Sequence, residues 1–225
     1  MFALESQMLT PVLTWVNDHG LLAKGEYETP WGICDVVGCK IDAERAQLRR
    51  SLGQRQSVGS LFRMNLLSKI PDVEQASVTF DELREEVGDL IDTNELVRHV
   101  AVLKGRKFVV EEDGRLAKVN GWMPLHSRVV SVEMKLKRFS EVIAQARANL
   151  SLTPDSYIAI PEPDALRLVA KKESELKDIG VGVLAVNPYR AYEALAPVSP
   201  SQRNNTYSAH CAERFWPRYL RGNSA

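Results

Sequence analysis

The sequence predicts an α/β fold in which a mixed sheet flanked by helices is interrupted by an inserted α+β module. Three observations carry this. An amphipathic helix and two β-prone runs open the chain, strands alternate with helices after Pro124, and between about Ala43 and Met123 the texture changes to short capped helices ending in a hairpin. Alternating strands and helices are the pattern of a sheet covered by helices. The 225 residues suffice for one domain or two small ones, and two units fit the change of texture better. The expected division is 1–42 and 124–195 for the α/β part, 43–123 for the module, and 196–225 for a C-terminal tail.

Leu4, Met8, Leu9, Val12, Leu13 and Val16 recur at helical spacing, predicting a helix over 3–17 that Gly20 ends. Thr29-Pro30 and Gly32 punctuate two β-prone runs, read as a hairpin or bent strand pair, with Gly32 to Ile41 the stronger strand. From Ala43 to Ser68 runs an Arg- and Gln-containing helical stretch that Gly53 and Gly59 interrupt. Thr79 caps FDELREEVG with Glu82 as its capping-box partner. Asp92-Thr-Asn94 leads into ELVRHVAVLKG, closed by Gly105. KFVVEEDGRLAKVNG then reads as two short strands about an Asp113-Gly114 turn. Helix, turn, helix and hairpin in that order form a winged-helix-like pattern.

Beyond Pro124 the sequence predicts a strand from Arg128 to Leu136, a helix from Ser140 to Leu150 and a short strand SYIAIP. A helix then turns Leu166, Val169, Leu176 and Ile179 to the core, and VGVLAVN closes the sheet. The turn-rich PVSPSQRNNTYS reads as loose, with Phe215, Trp216 and Tyr219 docking the end of the chain back.

Lys and Arg number 29, as do Asp and Glu, so the formal net charge is zero and any basic surface must be local. Cys34, Cys39 and Cys211 have no CxxC spacing, and the N-terminus lacks the positive stretch of a signal peptide. A reduced, cytoplasmic chain is the simplest expectation, and no apolar run is long enough to span a bilayer. His19, His99, His126 and His210 show no metal-ligand spacing. With neither a P-loop nor a GxGxxG run, ATP hydrolysis and dinucleotide chemistry are not expected.

In VVSVEMKLKRF, Glu133 and Lys135 are two apart, so a strand projects both to one side while Val132, Met134 and Leu136 face the core. The same alternation is what any half-exposed strand shows. Asp35 is the second signal, because a carboxylate inside the apolar run GICDVVG is costly unless paired, hydrogen-bonded or bound to a cation. A strand-borne Asp followed by Glu-x-Lys resembles the PD-(D/E)xK nuclease superfamily, with its restriction-endonuclease-like and junction-resolvase-like members. The likeness covers about residues 1–42 and 124–190 and extends to the order of elements.

That resemblance implies a restriction-endonuclease-like core and a magnesium- or manganese-dependent endodeoxyribonuclease acting in repair, recombination or defence. It implies Asp35 and Glu133 as metal ligands with the Met134 carbonyl, Lys135 as the cation beside the attacked phosphate, Glu5 as a first-helix carboxylate and Gln145 as a further site residue. Two departures stand out: Cys34 replaces the motif's proline, and more than ninety residues separate Asp35 from Glu133, a gap the winged-helix-like insertion fills.

DNA is the expected partner, contacted by Arg98, Lys104, Arg106 and Lys107 around the second short helix, by Arg115 and Lys118 on the hairpin, and by Lys137 and Arg138 after the Glu-x-Lys strand. Asp81, Glu82, Glu85, Glu86 and the run Glu111-Glu112-Asp113 leave the module nearly neutral, as in winged helices that bind protein, and self-association as a homodimer is a further expectation. The alternative is a non-catalytic DNA-binding or scaffold protein retaining a nuclease fold.

Overall fold

A computed structural model describes residues 2–88, 91–119, 123–198 and 206–222. In chain order, a 3₁₀ turn Glu5–Met8 leads into α1 (Leu9–Asp18), β1 (Leu22–Thr29), β2 (Gly32–Ile41), α2 (Ala43–Ser51) and α3 (Leu61–Lys69). β3 (Val78–Thr79), α4 (Phe80–Val87), α5 (Thr93–Gly105), β4 (Val109–Glu112) and β5 (Arg115–Lys118) follow. The chain continues through β6 (His126–Met134), α6 (Phe139–Asn149), β7 (Asp155–Pro161), α7 (Glu162–Ile179), β8 (Gly182–Val186), β9 (Ala191–Leu195) and α8 (Thr206–Gly222). Two compact units result, one of residues 1–40 and 126–208, the other of 41–125 and 209–225. Among the described residues no helix is long and apolar enough to cross a membrane.

The first unit is α/β, with a mixed six-stranded sheet ordered β1-β2-β6-β7-β8-β9. β1 and β2 form an antiparallel hairpin closed at Thr29 and Gly32, while β6, β7 and β8 run parallel. β9 pairs antiparallel with β8 as an edge strand that the sequence reading did not anticipate. Helices cover both faces. Met8, Val12, Trp15 and Val16 pack on Val36, Val130, Val132 and Met134. On the other face Val142, Ala146, Ala165 and Leu176 pack on Ile158, Ile160, Val183 and Ala185.

This double cover corrects two expectations. β6 is not half exposed, since every residue from Val129 to Met134 is buried, Glu133 included at 4 % exposure. Interior strands with helices on both sides have no solvent face. In α7, Leu166 points outward at 52 % exposure, whereas Ala165, Leu168, Val169, Leu176 and Ile179 form the buried stripe. Lys172 at φ −135° breaks the helix between the two halves of that stripe, so one continuous helical phase does not describe it.

In the second unit the caps fall where short-range chemistry placed them. Asp42, Ser60, Thr79 and Asp92 each accept from the backbone N–H three residues on, and Glu82 returns a bond to the Thr79 N–H at 2.7 Å. Asp113 and Gly114 take φ of 50° and 73°, the left-handed pair a two-residue hairpin requires, and join β4 to β5. The small sheet is ordered β3-β5-β4. Asp42 N–H donates to the Leu125 carbonyl at 2.8 Å, closing the segment at its base.

The expected loose tail is helical from Thr206 onward, and residues 199–205 of PVSPSQRNNTYS lie outside the described residues. α8 buries Cys211, Ala212, Phe215 and Trp216 within the second unit. There Glu213 meets Arg49 at 2.5 Å, and the Arg49 guanidinium lies between the rings of Phe108 and Trp216 at 4.8 and 4.9 Å.

Candidate functional site

β2 and β6 are neighbours in the sheet, which brings Asp35 and Glu133 side by side although more than ninety residues separate them in sequence. Met134 faces α1, so alternation turns Glu133 to the opposite face, where Asn149 of α6 meets it. The two carboxyl groups are close enough for the charge of Asp35 to act on Glu133. Asp35 Oδ2 also accepts the Met134 N–H at 2.6 Å. Met134, whose carbonyl was the expected ligand, is here a donor to Asp35.

Lys135 lies one residue past the end of β6, its N–H still donating to the Ala159 carbonyl at 3.2 Å. Its Nζ approaches Glu5 Oε2 at 3.4 Å, and the other Glu5 oxygen accepts the Leu136 N–H at 3.4 Å. The 3₁₀ turn that carries Glu5 is held by the Gln7 side chain, which accepts from the Ala3 and Leu4 N–H groups at 2.8 and 3.2 Å. Four of the five expected catalytic residues therefore converge: Asp35, Glu133, Lys135 and Glu5.

Gln145 does not join them, for it lies on the exposed side of α6. Asn149, one turn later, reaches the site. Its Nδ2 donates to Glu133 Oε1 at 2.6 Å and to Cys34 Sγ at 3.5 Å, and its Oδ1 accepts from the Trp31 indole N–H at 2.8 Å. Trp31, in the turn of the β1–β2 hairpin, thereby orients the amide that holds Glu133. The sequence carried a hint in the polar Asn ending an otherwise amphipathic helix, but nothing there assigned it over Gln145.

The electrostatics follow from this crowding. Burial and then the neighbouring Asp35 carboxylate push the Glu133 carboxyl up from 4.5 to about 7, against the opposing hydrogen bonds from Asn149 and Cys34 and the charge of Lys135. Burial likewise raises Asp35, while the Met134 N–H and Lys135 pull it back down. The Cys34 thiol is held well above its ordinary value by burial and by Glu133, so it stays protonated. Two adjoining carboxyl groups that resist double ionisation form a pair that a divalent cation would relieve.

Among the described residues no group of three or more His, Cys, Asp or Glu side chains is arranged to hold a metal ion. Compared with family models, with curated proteins and with solved structures, the chain has no significant match in any of the three. Its function must be read from its own geometry.

The expected DNA-contacting cations divide into two groups. Lys137 and Arg138 are exposed beside the site, with Arg138 in a left-handed conformation (φ 60°) at the N-cap of α6 and paired with Glu141 at 3.1 Å. In the second unit Arg98 and Lys107 are exposed. Lys104 instead pairs with Glu111, Arg115 binds Ser77 and faces Glu82 at 3.6 Å, and Lys118 is buried against Asp72 at 3.6 Å. In all three an acid on the same unit lies beside the cation. Arg106 turns inward, donating to the Ser57 and Val58 carbonyls at 2.6 and 3.2 Å.

Proposed function

We propose that the chain is a metal-dependent nuclease of PD-(D/E)xK type that hydrolyses DNA phosphodiester bonds, in repair, recombination or defence. The observation that carries this reading is that neighbouring strands β2 and β6 bring Asp35, which accepts the Met134 N–H, beside Glu133, with the charge of Lys135 acting on both carboxyl groups. The element order supports it: α1, β2 with Asp35, β6 with Glu133, then α6, β7, α7 and β8 is the order of that superfamily's core. In the second unit, α3-β3-α4-α5-β4-β5 with a sheet ordered β3-β5-β4 supports the reading of a winged-helix-like insertion.

Asp35 and Glu133 would hold Mg²⁺ or Mn²⁺, a donor set that fits because magnesium takes one or two carboxylates and completes its shell with water and phosphate oxygens. When bound, the ion would acidify a water for attack and offset charge on the departing oxygen. The protein's own share is separate from this. Asn149 fixes the Glu133 carboxylate in one rotamer, and the Met134 N–H fixes Asp35. Lys135, held by Glu5, aims its ammonium beside both carboxylates, where it would orient the attacking water or balance charge on the phosphate.

The deep burial of Glu133 favours a second reading, a non-catalytic DNA-binding or scaffold protein that keeps this fold. One experiment separates the two. Supercoiled, linear duplex, single-stranded and branched DNA are incubated with Mg²⁺ or Mn²⁺ and with wild type, Glu133→Ala or Lys135→Ala. Metal-dependent cutting lost in both variants supports the enzyme, whereas DNA binding with no cutting by wild type supports the scaffold.

A further inference from the structure

The second unit contains two arginines whose arrangement is unfavourable as it stands. Arg106 Nη1 lies 2.8 Å from the point a Cβ on Gly59 would occupy, and Arg63 Nη2 lies nearer still. The two nitrogens are therefore less than twice that distance apart. Like charges at this range disfavour each other, and the Arg63 guanidinium is pulled below its ordinary range first by burial and then by Arg106. Arg63 also occupies the first turn of α3, which holds no acidic residue and where the helix dipole disfavours a cation.

Their partners differ. Arg106 is satisfied by the Ser57 and Val58 carbonyls. Arg63 makes no ion pair with any described residue, and its Nε is enclosed without a hydrogen-bond partner. The acid nearest in influence is Glu213, which feels Arg106, but its two oxygens are taken by Arg49 Nη1 and the Val58 N–H at 2.5 and 2.7 Å. On α8, His210 Nε2 contacts the Gly59 carbonyl at 2.9 Å with Arg214 close by, so that side adds no negative charge.

Three costs coincide: a like-charge pair, a cation at a positive helix end, and an enclosed donor without an acceptor. One anion would relieve the first two. We propose that Arg63 and Arg106, converging over the bare backbone of Gly59, form a phosphate-binding site on the second unit. Phosphate suits it better than a carboxylate because its several oxygens can accept from Arg63 and from the N–H groups of Arg106 other than Nη1, which the Ser57 and Val58 carbonyls occupy. Gly59 is required for the same reason, since at φ 99° with both guanidiniums where a side chain would begin, any other residue would be strained and would block the cradle. The phosphate is either free in solution or part of a nucleic-acid backbone. The site does not depend on the carboxylate pair of the first unit.

The test uses the full chain and Arg63→Gln. Calorimetry with inorganic phosphate is expected to show binding to wild type that weakens roughly tenfold or more in the variant, the scale of one lost charge-assisted contact. Fluorescence anisotropy with duplex DNA then identifies the source. If DNA affinity falls alongside, with a smaller salt slope, backbone phosphate is the ligand; if phosphate binding alone is lost, free phosphate is. Equal phosphate binding by wild type and variant, or none by wild type in either arm, overturns the proposal. Without phosphate, Arg63→Gln is expected to melt no lower than wild type, and a lower Tm would make Arg63 a structural residue and overturn it too.

Discussion

The Asn149 amide donates to Glu133 Oε1 at 2.6 Å, so the last turn of α6 sets the geometry of a carboxylate on β6. Replacing Asn149 with Ala removes that donor and leaves the Trp31 indole N–H without its acceptor. The expected cost is about 1–3 kcal/mol of stability, read by denaturant unfolding. Because the Asn149 bond lowers the Glu133 pKa, the variant should titrate Glu133 above about 7, measured by carboxyl ¹³C NMR. An unchanged titration would show that Asn149 does not control the carboxylate.

Stability should fall as pH rises through neutrality. The Glu133 carboxyl is raised from 4.5 to about 7, so the native state binds a proton that the unfolded chain has released. Its contribution is fully present below about pH 4.5 and lost as pH rises through about 7, and the upward shift of Asp35 has the same sign. Glu133→Gln keeps the shape without the charge and should add up to roughly 3 kcal/mol above pH 7. Tm profiles of the two proteins from pH 4 to pH 8 check this, with convergence at the acid end expected.

Lys135→Ala should lower turnover by roughly a hundredfold or more under the nuclease reading, as for loss of one preorganised charge. Metal affinity should change little, because Asp35 and Glu133 remain. Turnover under saturating Mn²⁺, beside calorimetric Mn²⁺ titration, distinguishes the two effects. Equal loss in both would assign Lys135 to holding the carboxylates together.

Arg49 and Glu213 are both buried in the second unit, so removing one strands the other. Arg49→Met should cost about 3–5 kcal/mol, and adding Glu213→Leu should recover much of it by removing the orphaned carboxylate. Urea unfolding of both single variants and the double variant provides the cycle.

Gly38 on β2 lets α1 approach the sheet, because a Cβ there would lie 2.5 Å from Val16 Cγ1 and 3.3 Å from Leu21. Gly38→Ala should cost about 1–3 kcal/mol through overpacking, measured as a lowered Tm. Val16→Ala in the same chain should return part of it.

What the sequence by itself determined was local. The Thr79–Glu82 capping box, the Asp92 cap and the Asp113-Gly114 turn depend on atoms a few residues apart, so residue identity was enough. Strand and helix alternation in the second half was legible for the same reason, since periodicity records which face is apolar. α8 was not, because its turn-rich approach hid an apolar stripe at Ala209, Ala212, Phe215 and Trp216 that has meaning only against a core to bury it.

Tertiary structure decided which polar residues meet. Asp35, Glu133 and Lys135 could be named from their types, spacing and resemblance to a known motif, but only the pairing of β2 with β6 brings the two carboxyl groups near each other, and only the cover of α6 makes Glu133 buried and hard to ionise. Gln145 and Asn149 are both polar residues of one helix, and rotation about its axis turned the first to solvent and the second onto Glu133. The module's cations read alike in sequence, yet acids on the same unit offset Lys104, Arg115 and Lys118, while folding brought Arg63 and Arg106 together over Gly59. Charge and burial are properties of neighbours in space, and the chain alone specifies neighbours only along its length.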